Sequence, residues 1–169
     1  MNDSLPYTVG VLCYLYNASG QALLLHRSQE PNRGMHSPIG GKVHTAEGEN
    51  PAVAALREIH EEVELELRPE DLRLAGLVTE TAYLRRGHWQ LYLYEVMRPV
   101  EVQRMSFKEG TLGWHDPAEL MNLNIPETDR RVIYPTYLKF RNSGAFFHVH
   151  IDCTADPLTW TLEHPREGG

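Results

Sequence analysis

The sequence predicts one mixed domain, α/β or α+β, and three observations carry that prediction. The 169 residues are 41% hydrophobic and 23% charged, enough for one sizeable core. Candidate elements run in the order strands, helix, strands, helix, strands. Proline and glycine are spread along the chain without repeats or low-complexity tracts.

Taken in order, Tyr7 to Tyr16 is a β-rich apolar run, Asn17-Ala18-Ser19-Gly20 reads as a turn, and Gln21 to His26 resumes a strand. Together they predict a hairpin. Residues 28–37 form a polar loop with Pro31 and Gly34, and residues 38–43 a short segment around Gly40-Gly41. After the irregular stretch from His44 to Glu49, Asn50 is a helix N-cap with Pro51 at the first helical position. The helix runs from Ala52 to about Val63, with Ala52, Leu56, Ile59 and Val63 as its apolar face. Residues 72–83 and 89–97 predict two strands around Arg85-Arg86-Gly87. Residues 98–111 read as a long loop, and Asp116-Pro117 opens a short helix through Met121. The second half of 126–140 is helical, and 145–153 with 158–162 make a final strand pair.

Net charge is −7 at pH 7, which repels polyphosphates and nucleic-acid backbones unless cations intervene. No stable nucleic-acid complex is expected. Cys13 and Cys153 are far apart in apolar runs and read as free buried thiols, not as a disulfide scaffold. There is no basic segment followed by an apolar one at the start, and no run nears the ~18–20 apolar residues of a membrane span. A reducing cytoplasm is the expected compartment, and either a monomer or a homodimer is compatible with the sequence.

The strongest local signal is Arg57-Glu58-Ile59-His60-Glu61-Glu62. On a helix, Glu58, Glu61 and Glu62 share one side. Like charges at that spacing repel by a few tenths of a kcal/mol, roughly, and a hard cation with oxygen ligands removes the conflict. A solvated acidic face is the plainer alternative. Against it stands the upstream context: Gly40-Gly41 and a polar loop carrying Glu47 and Glu49 lead into a capped helix, so the loop can fold back over the carboxylates. His60 points roughly 160° away from Glu58 and Glu62, and His148 and His150 read as a paired strand surface.

Residues 41–65 resemble the signature of the Nudix hydrolase family: a glycine, five residues, a glutamate, seven residues, then Arg-Glu-apolar-x-Glu-Glu-x-Gly-apolar. This chain departs from it twice. Two extra residues lie between Gly41 and Glu49, and Glu64 stands in place of the glycine. Glu49 rather than Glu47 keeps the seven-residue gap to Arg57, and an inserted pair of loop residues costs little. The resemblance implies an α/β/α sandwich with a mixed β-sheet and a loop-helix-loop signature. It implies Mg²⁺, with Mn²⁺ as a substitute, held by Glu58, Glu61 and Glu62 and the carbonyl of Gly41. Arg57 matches an arginine that pairs with the loop glutamate, here Glu49. Glu109, five residues before Trp114, is the candidate for a further metal ligand or for the general base, a role in which Glu61 and Glu62 are also candidates. Arg27, Arg33 and Lys42 are the basic residues nearest the expected phosphates.

Beyond the signature, the chain resembles the subgroup that hydrolyses nucleoside triphosphates, including oxidised purine forms such as 8-oxo-dGTP. Glu127 and Asp129, in Pro126-Glu127-Thr128-Asp129, match an acidic pair that reads the base edge. Ser37 or Pro38 stands where the subgroup has an asparagine. Met35, Trp114 and Tyr134 are either base-stacking or core residues. The expected partner is thus a small nucleotide, cleaved to monophosphate and pyrophosphate. Alternatives are ADP-ribose or nucleotide-sugar hydrolysis, dinucleoside polyphosphate hydrolysis, and a catalytically silent nucleotide- or RNA-binding module.

Overall fold

A computed structural model describes residues 4–166. Its strands form two sheets. The larger has the order β10-β9-β5-β6-β1-β4, from Thr159–His164 (β10), Phe147–Asp152 (β9), Leu72–Tyr83 (β5), Gly87–Val96 (β6), Tyr7–Tyr14 (β1) and Ile39–Lys42 (β4). The smaller has the order β3-β2-β8-β7, from His36–Ser37 (β3), Ala22–Arg27 (β2), Gly110–His115 (β8) and Ser106–Phe107 (β7). The larger sheet is mixed: β1 runs parallel to β6, and β5 to β9, while β1/β4, β5/β6 and β9/β10 are antiparallel.

The expected hairpin does not form as a sheet pair. The Asn17 turn is present, with Asn17 Oδ1 accepting from the Ser19 and Gln21 amides at 3.0 and 2.9 Å. Beyond it, β1 pairs along its length with β6 and β4, so both its edges are taken. The strand β2 therefore leaves the turn after one bridge, Tyr16 to Ala22, and pairs with β8 and β3 in the other sheet. The predicted loop at 98–111 likewise contains β7 and the start of β8.

Two helices cover opposite faces of the larger sheet. The helix α1 (Pro51–Val63) begins at Asn50, whose side chain accepts from the Ala52 amide at 2.8 Å. It packs Ala54, Ala55, Ile59 and Val63 against Val11, Cys13 and Leu15 of the β1 region and Leu23 and Leu25 of β2. Of the expected apolar face, Ile59 and Val63 are buried, while Ala52 and Leu56 are half-buried. The other buried position on α1 is a carboxyl, Glu62, only 3% exposed. The helix α2 (Tyr134–Arg141), preceded by a π-helical turn Asp129–Ile133, packs Tyr134 and Tyr137 on the opposite face with Tyr14, Leu93 and Phe147. The strand β2 feeds both cores, because Leu23 and Leu25 point one way and Leu24 the other. Cys13 is buried and Cys153 half-buried, and both are free thiols. No helix among the described residues is long and apolar enough to cross a membrane.

The end of α1 answers for the missing glycine. Glu64 is the C-cap at φ 58°, ψ 30°, the left-handed region, with its amide bonded to the His60 carbonyl. A side chain there costs about 1 kcal/mol or more. Arg104 offsets some of that cost by donating to the Glu61 carbonyl at 3.0 Å and pairing with the Glu64 carboxylate at 2.6 Å. The Glu64 end of that pair is exposed, so the pair itself contributes little. Glu64→Gly is expected to stabilise the fold by about 1 kcal/mol, read as a rise of a few degrees in melting temperature. A fall in melting temperature would show that Arg104, not the backbone, governs this cap.

Candidate active site

Loop, helix and strand converge through Arg57. Its Nε and Nη2 donate to the two oxygens of Glu49 at 2.7 and 2.9 Å, a bidentate pair. Nη2 also donates to the Lys42 carbonyl at 3.0 Å, and Nη1 to Glu58 Oε1 at 2.6 Å. Glu49 in turn accepts from the His44 amide at 2.8 Å. The guanidinium holds Glu49 down to about 2, chiefly by hydrogen bonding. Glu47 faces His44 instead, at 3.7 Å. The two extra loop residues are absorbed in the short 3₁₀ turn Thr45–Glu47, closed by Gly48 at φ 68°.

Gly41 gives Glu58 room. A Cβ on Gly41 would stand 2.3 Å from Glu58 Oε1, so the carboxylate lies directly over that strand residue. Behind it, Glu62 accepts from the Gly40 amide, and its Oε2 is buried with no protein partner. Burial, then the charges of Glu58 and Glu109, push Glu62 up to about 8. Burial also raises Glu58, which feels Glu61 and Glu109. Glu109 reaches this cluster from the β7–β8 turn, where Phe107 pairs with Gly110. Glu61 is exposed, with Arg57 Nη1 at 3.5 Å.

Among the described residues, no three His, Cys, Asp or Glu side chains already stand at the spacing that grips a metal ion. The donor set nonetheless fits Mg²⁺. That ion commonly takes one or two protein carboxylates and completes its shell with water and phosphate oxygens. A buried carboxylate oxygen without a partner, among three further carboxylates, is the kind of group such a cation satisfies.

A cleft of about 460 Å³ opens in front of this cluster. Gly41, Lys42, Glu58 and Glu109 line one side of it, and Arg27, Ser37 and Asp129 also reach it. Arg27 is steadied by the Pro31 carbonyl at 2.8 Å, and Lys42 Nζ lies 6.0 Å from the Trp89 ring. Two expected substrate residues are elsewhere. Arg33 is exposed and off the cleft, and Glu127 is exposed and paired with Arg131 at 2.9 Å. Of the two alternatives for the aromatics, core packing holds for Tyr134 and Trp114. Tyr134 is in one core and Trp114 packs against the other, while Tyr83 and Trp89 line the cleft.

The residue that sequence reasoning missed is Glu80. It lies on β5, 5% exposed, and lines the cleft near Asp129. Both carboxyls hydrogen-bond Thr128. Burial, then the Asp129 charge, pushes Glu80 up to about 8, and burial pushes Asp129 up to about 7. Each folded value lies above its unfolded one, 4.5 and 3.8. The folded state therefore holds extra protons. The stability this contributes is complete below pH ~4 and is lost as pH rises through about 7 to 8. Glu80→Gln is expected to flatten that decline, leaving the variant ~2 kcal/mol less sensitive than the parent between pH 5 and pH 9. Denaturant unfolding at the two pH values measures it, and equal declines in both proteins would place the proton elsewhere.

The NUDIX domain model matches residues 6–136. The chain belongs to the Nudix family. Hydrolysis of a pyrophosphate linkage in a nucleotide-type compound comes with that membership, as does a general dependence on Mg²⁺. Solved structures agree in fold. The MutT protein of Bacillus halodurans superposes with a TM-score of 0.73 at 20% identity, over 94% of this chain and 99% of that one. The MutT protein of Methanosarcina mazei Go1 gives 0.67 at 22% identity, over 82% and 96%. The NUDIX domain of Shewanella oneidensis NrtR, solved with ADP ribose, gives 0.62 at 17% identity, over 80% and 88%. The signature loop of this Nudix chain is the Glu49–Arg57 lock described above, and its signature helix is α1.

Proposed function

We propose that the chain hydrolyses a nucleoside 5′-triphosphate to the monophosphate and pyrophosphate, with oxidised purine nucleotides such as 8-oxo-dGTP among its substrates. One observation carries this reading: a single cleft of nucleotide size is acidic in two different ways. Glu58 and Glu109, with Glu62 behind, crowd their carboxyl oxygens beside the signature helix, where a cation and phosphates would meet them. Glu80 and Asp129 instead share a hydroxyl and hold protons near neutral pH. A protonated carboxyl donates a hydrogen bond and a carboxylate accepts one. Such a pair suits a purine edge that offers a ring N–H beside a carbonyl oxygen.

Glu58, Glu61, Glu62 and Glu109, with the Gly41 carbonyl, would hold Mg²⁺, or Mn²⁺ in its place. When bound, the ion neutralises phosphate charge and acts as a Lewis acid. The chain's own residues do the rest. Arg57 positions Glu58 and, through Glu49 and the Lys42 carbonyl, fixes the loop. Arg27 and Lys42 line the cleft as partners for the outer phosphates. Glu109, on the β7–β8 turn, would serve either as the further metal ligand or as the base that accepts a proton from attacking water. Arg33 and Glu127 take no role.

Product analysis with Mg²⁺ tests the reading. Triphosphates should yield monophosphate plus pyrophosphate, with 8-oxo-dGTP preferred over dGTP. Faster conversion of ADP-ribose to AMP and ribose phosphate would replace it with the sugar-nucleotide alternative. Tight nucleotide binding with no turnover would replace it with a binding module.

A further inference from the structure

Two strained pieces of backbone meet at the rim of the cleft. Among the described residues, five non-glycine residues have positive φ, and four of them surround one contact. They are Asn32 at 64°, and Ala82, Leu84 and Arg85 at 54°, 50° and 56°, on both sides of Tyr83. A side chain in the left-handed region is costly, and such residues gather at ligand clamps. The register of β5 against β6 also shifts between Glu80 and Tyr83. Three positions apart, these two would face opposite ways on an unbroken strand. With the shift between them, both line the cleft.

Tyr83 Oη donates to Asn32 Oδ1 at 2.9 Å. The bond joins β5 of the larger sheet to the loop between β2 and β3 of the smaller one. That loop is closed on itself: the Arg27 carbonyl accepts from the Gly34 amide at 2.8 Å, and the Asn32 carbonyl from the Met35 amide at 3.0 Å. Asn32 lines the cleft, as do Glu80 and Asp129. Burial raises the Tyr83 phenol, and the charges of Asp129 and Glu80 add to it, so the O–H is kept to donate. The bond also fixes which end of the amide faces the substrate. Asparagine can offer a carbonyl oxygen or an NH₂ group. With Oδ1 taken by Tyr83, the NH₂ is the end left for the cleft. Reversing the amide would make Tyr83 Oη the acceptor and leave its own O–H without a protein acceptor among the described residues, which is costly for an enclosed hydroxyl.

We propose that Asn32 is a specificity-determining residue that donates to a purine carbonyl oxygen, and that Tyr83 is the positioning residue that holds its amide in the donating sense. The cleft then selects guanine-type oxopurines over adenine-type aminopurines, whose amino group would meet a second donor. The inference rests on the reading above that the base lies toward Glu80 and Asp129.

Equilibrium binding of dGMP and dAMP to the full chain tests it, because neither has a pyrophosphate linkage and no turnover is needed. The wild type should bind dGMP about 10-fold more tightly than dAMP. Asn32→Gly suits the left-handed backbone, so it should stay folded, and it should bind the two alike. Tyr83→Phe keeps the ring and frees the amide to turn and accept from the adenine amino group, so dAMP should bind more tightly and dGMP less. Introduced into Asn32→Gly, Tyr83→Phe should add nothing, a non-additivity that a merely structural tyrosine would not produce. Should Tyr83→Phe fail to fold, Asn32→Asp still accepts from Tyr83 but offers the cleft a carboxylate oxygen, and it should reverse the preference toward dAMP. Equal affinity of the wild type for the two monophosphates, or none for either, overturns the proposal, as does a dGMP preference that survives Asn32→Gly. Additive losses in the double variant overturn the positioning role of Tyr83. A dGMP preference without hydrolysis of any triphosphate would sink the functional proposal and leave this one standing.

Discussion

Glu62→Gln is expected to lower turnover by at least ~10²-fold while the protein stays folded. The side chain is 3% exposed, accepts from the Gly40 amide, and leaves Oε2 without a protein partner. An amide keeps the shape and the Gly40 bond but removes the negative charge that a cation requires. Without a cation, burial and the neighbouring carboxylates push Glu62 up to about 8, so near neutral pH the amide replaces a mostly uncharged carboxyl and stability in metal-free buffer should not fall. Activity and stability thus diverge, as they do where a buried polar group is kept for function and not for the fold. Turnover with saturating Mg²⁺, alongside thermal unfolding, reads both. A rate near that of the wild type would remove Glu62 from the metal set.

Gly41→Ala is expected to cost ~10–100-fold in activity and only about 1 kcal/mol in stability. Its Cβ would stand 2.3–2.6 Å from the carboxyl atoms of Glu58. That carboxyl is the far end of a flexible side chain, so it can swing aside, and the damage falls on the position of one proposed ligand. Gly40 supplies the contrast. A Cβ there would meet the Val11 carbonyl oxygen at 2.0 Å, which is backbone in the β1–β4 pair. Gly40→Ala must push β4 away from β1, so its loss appears first as unfolding. Adjacent glycines with opposite signatures, one kinetic and one thermodynamic, are measured by comparing rate and melting temperature in the two variants. Equal losses of stability would mean that Glu58 is fixed more rigidly than its contacts indicate.

What could be read in the sequence follows the range of the forces involved. Asn50, Pro51 and the run to Val63 specify α1 locally, and the structure begins and ends that helix at Pro51 and Val63. The Asn17 turn is legible for the same reason. Its consequence is not, because whether β2 pairs with β1 depends on β4 and β6 having already filled the edges of β1. The spacing from Glu49 to Arg57 places a bidentate pair, since a fixed helical register leaves little freedom. Glu80 escapes because a glutamate among threonines reads as a solvated strand face. A usable signal is there: Gly76, Val78, Glu80 and Ala82 alternate with Leu77, Thr79 and Thr81, and that period of two puts Glu80 on the buried side. Glu127 stands beside Asp129 in sequence and Glu80 does not, yet one residue on either side of Thr128 separates an outward ion pair from a carboxyl in the cleft.

The central claim is that buried and half-buried carboxylates of α1 gather divalent cations against a diphosphate bridge. A crystal structure with Mg²⁺ and a non-hydrolysable triphosphate analogue tests it most directly. The account predicts at least one cation about 2.0–2.1 Å from oxygens of Glu58 or Glu62 and of the phosphate chain, with the base toward Glu80 and Asp129. Phosphates bound away from α1, with Glu58 and Glu62 still lacking a cation at saturating Mg²⁺, would contradict it.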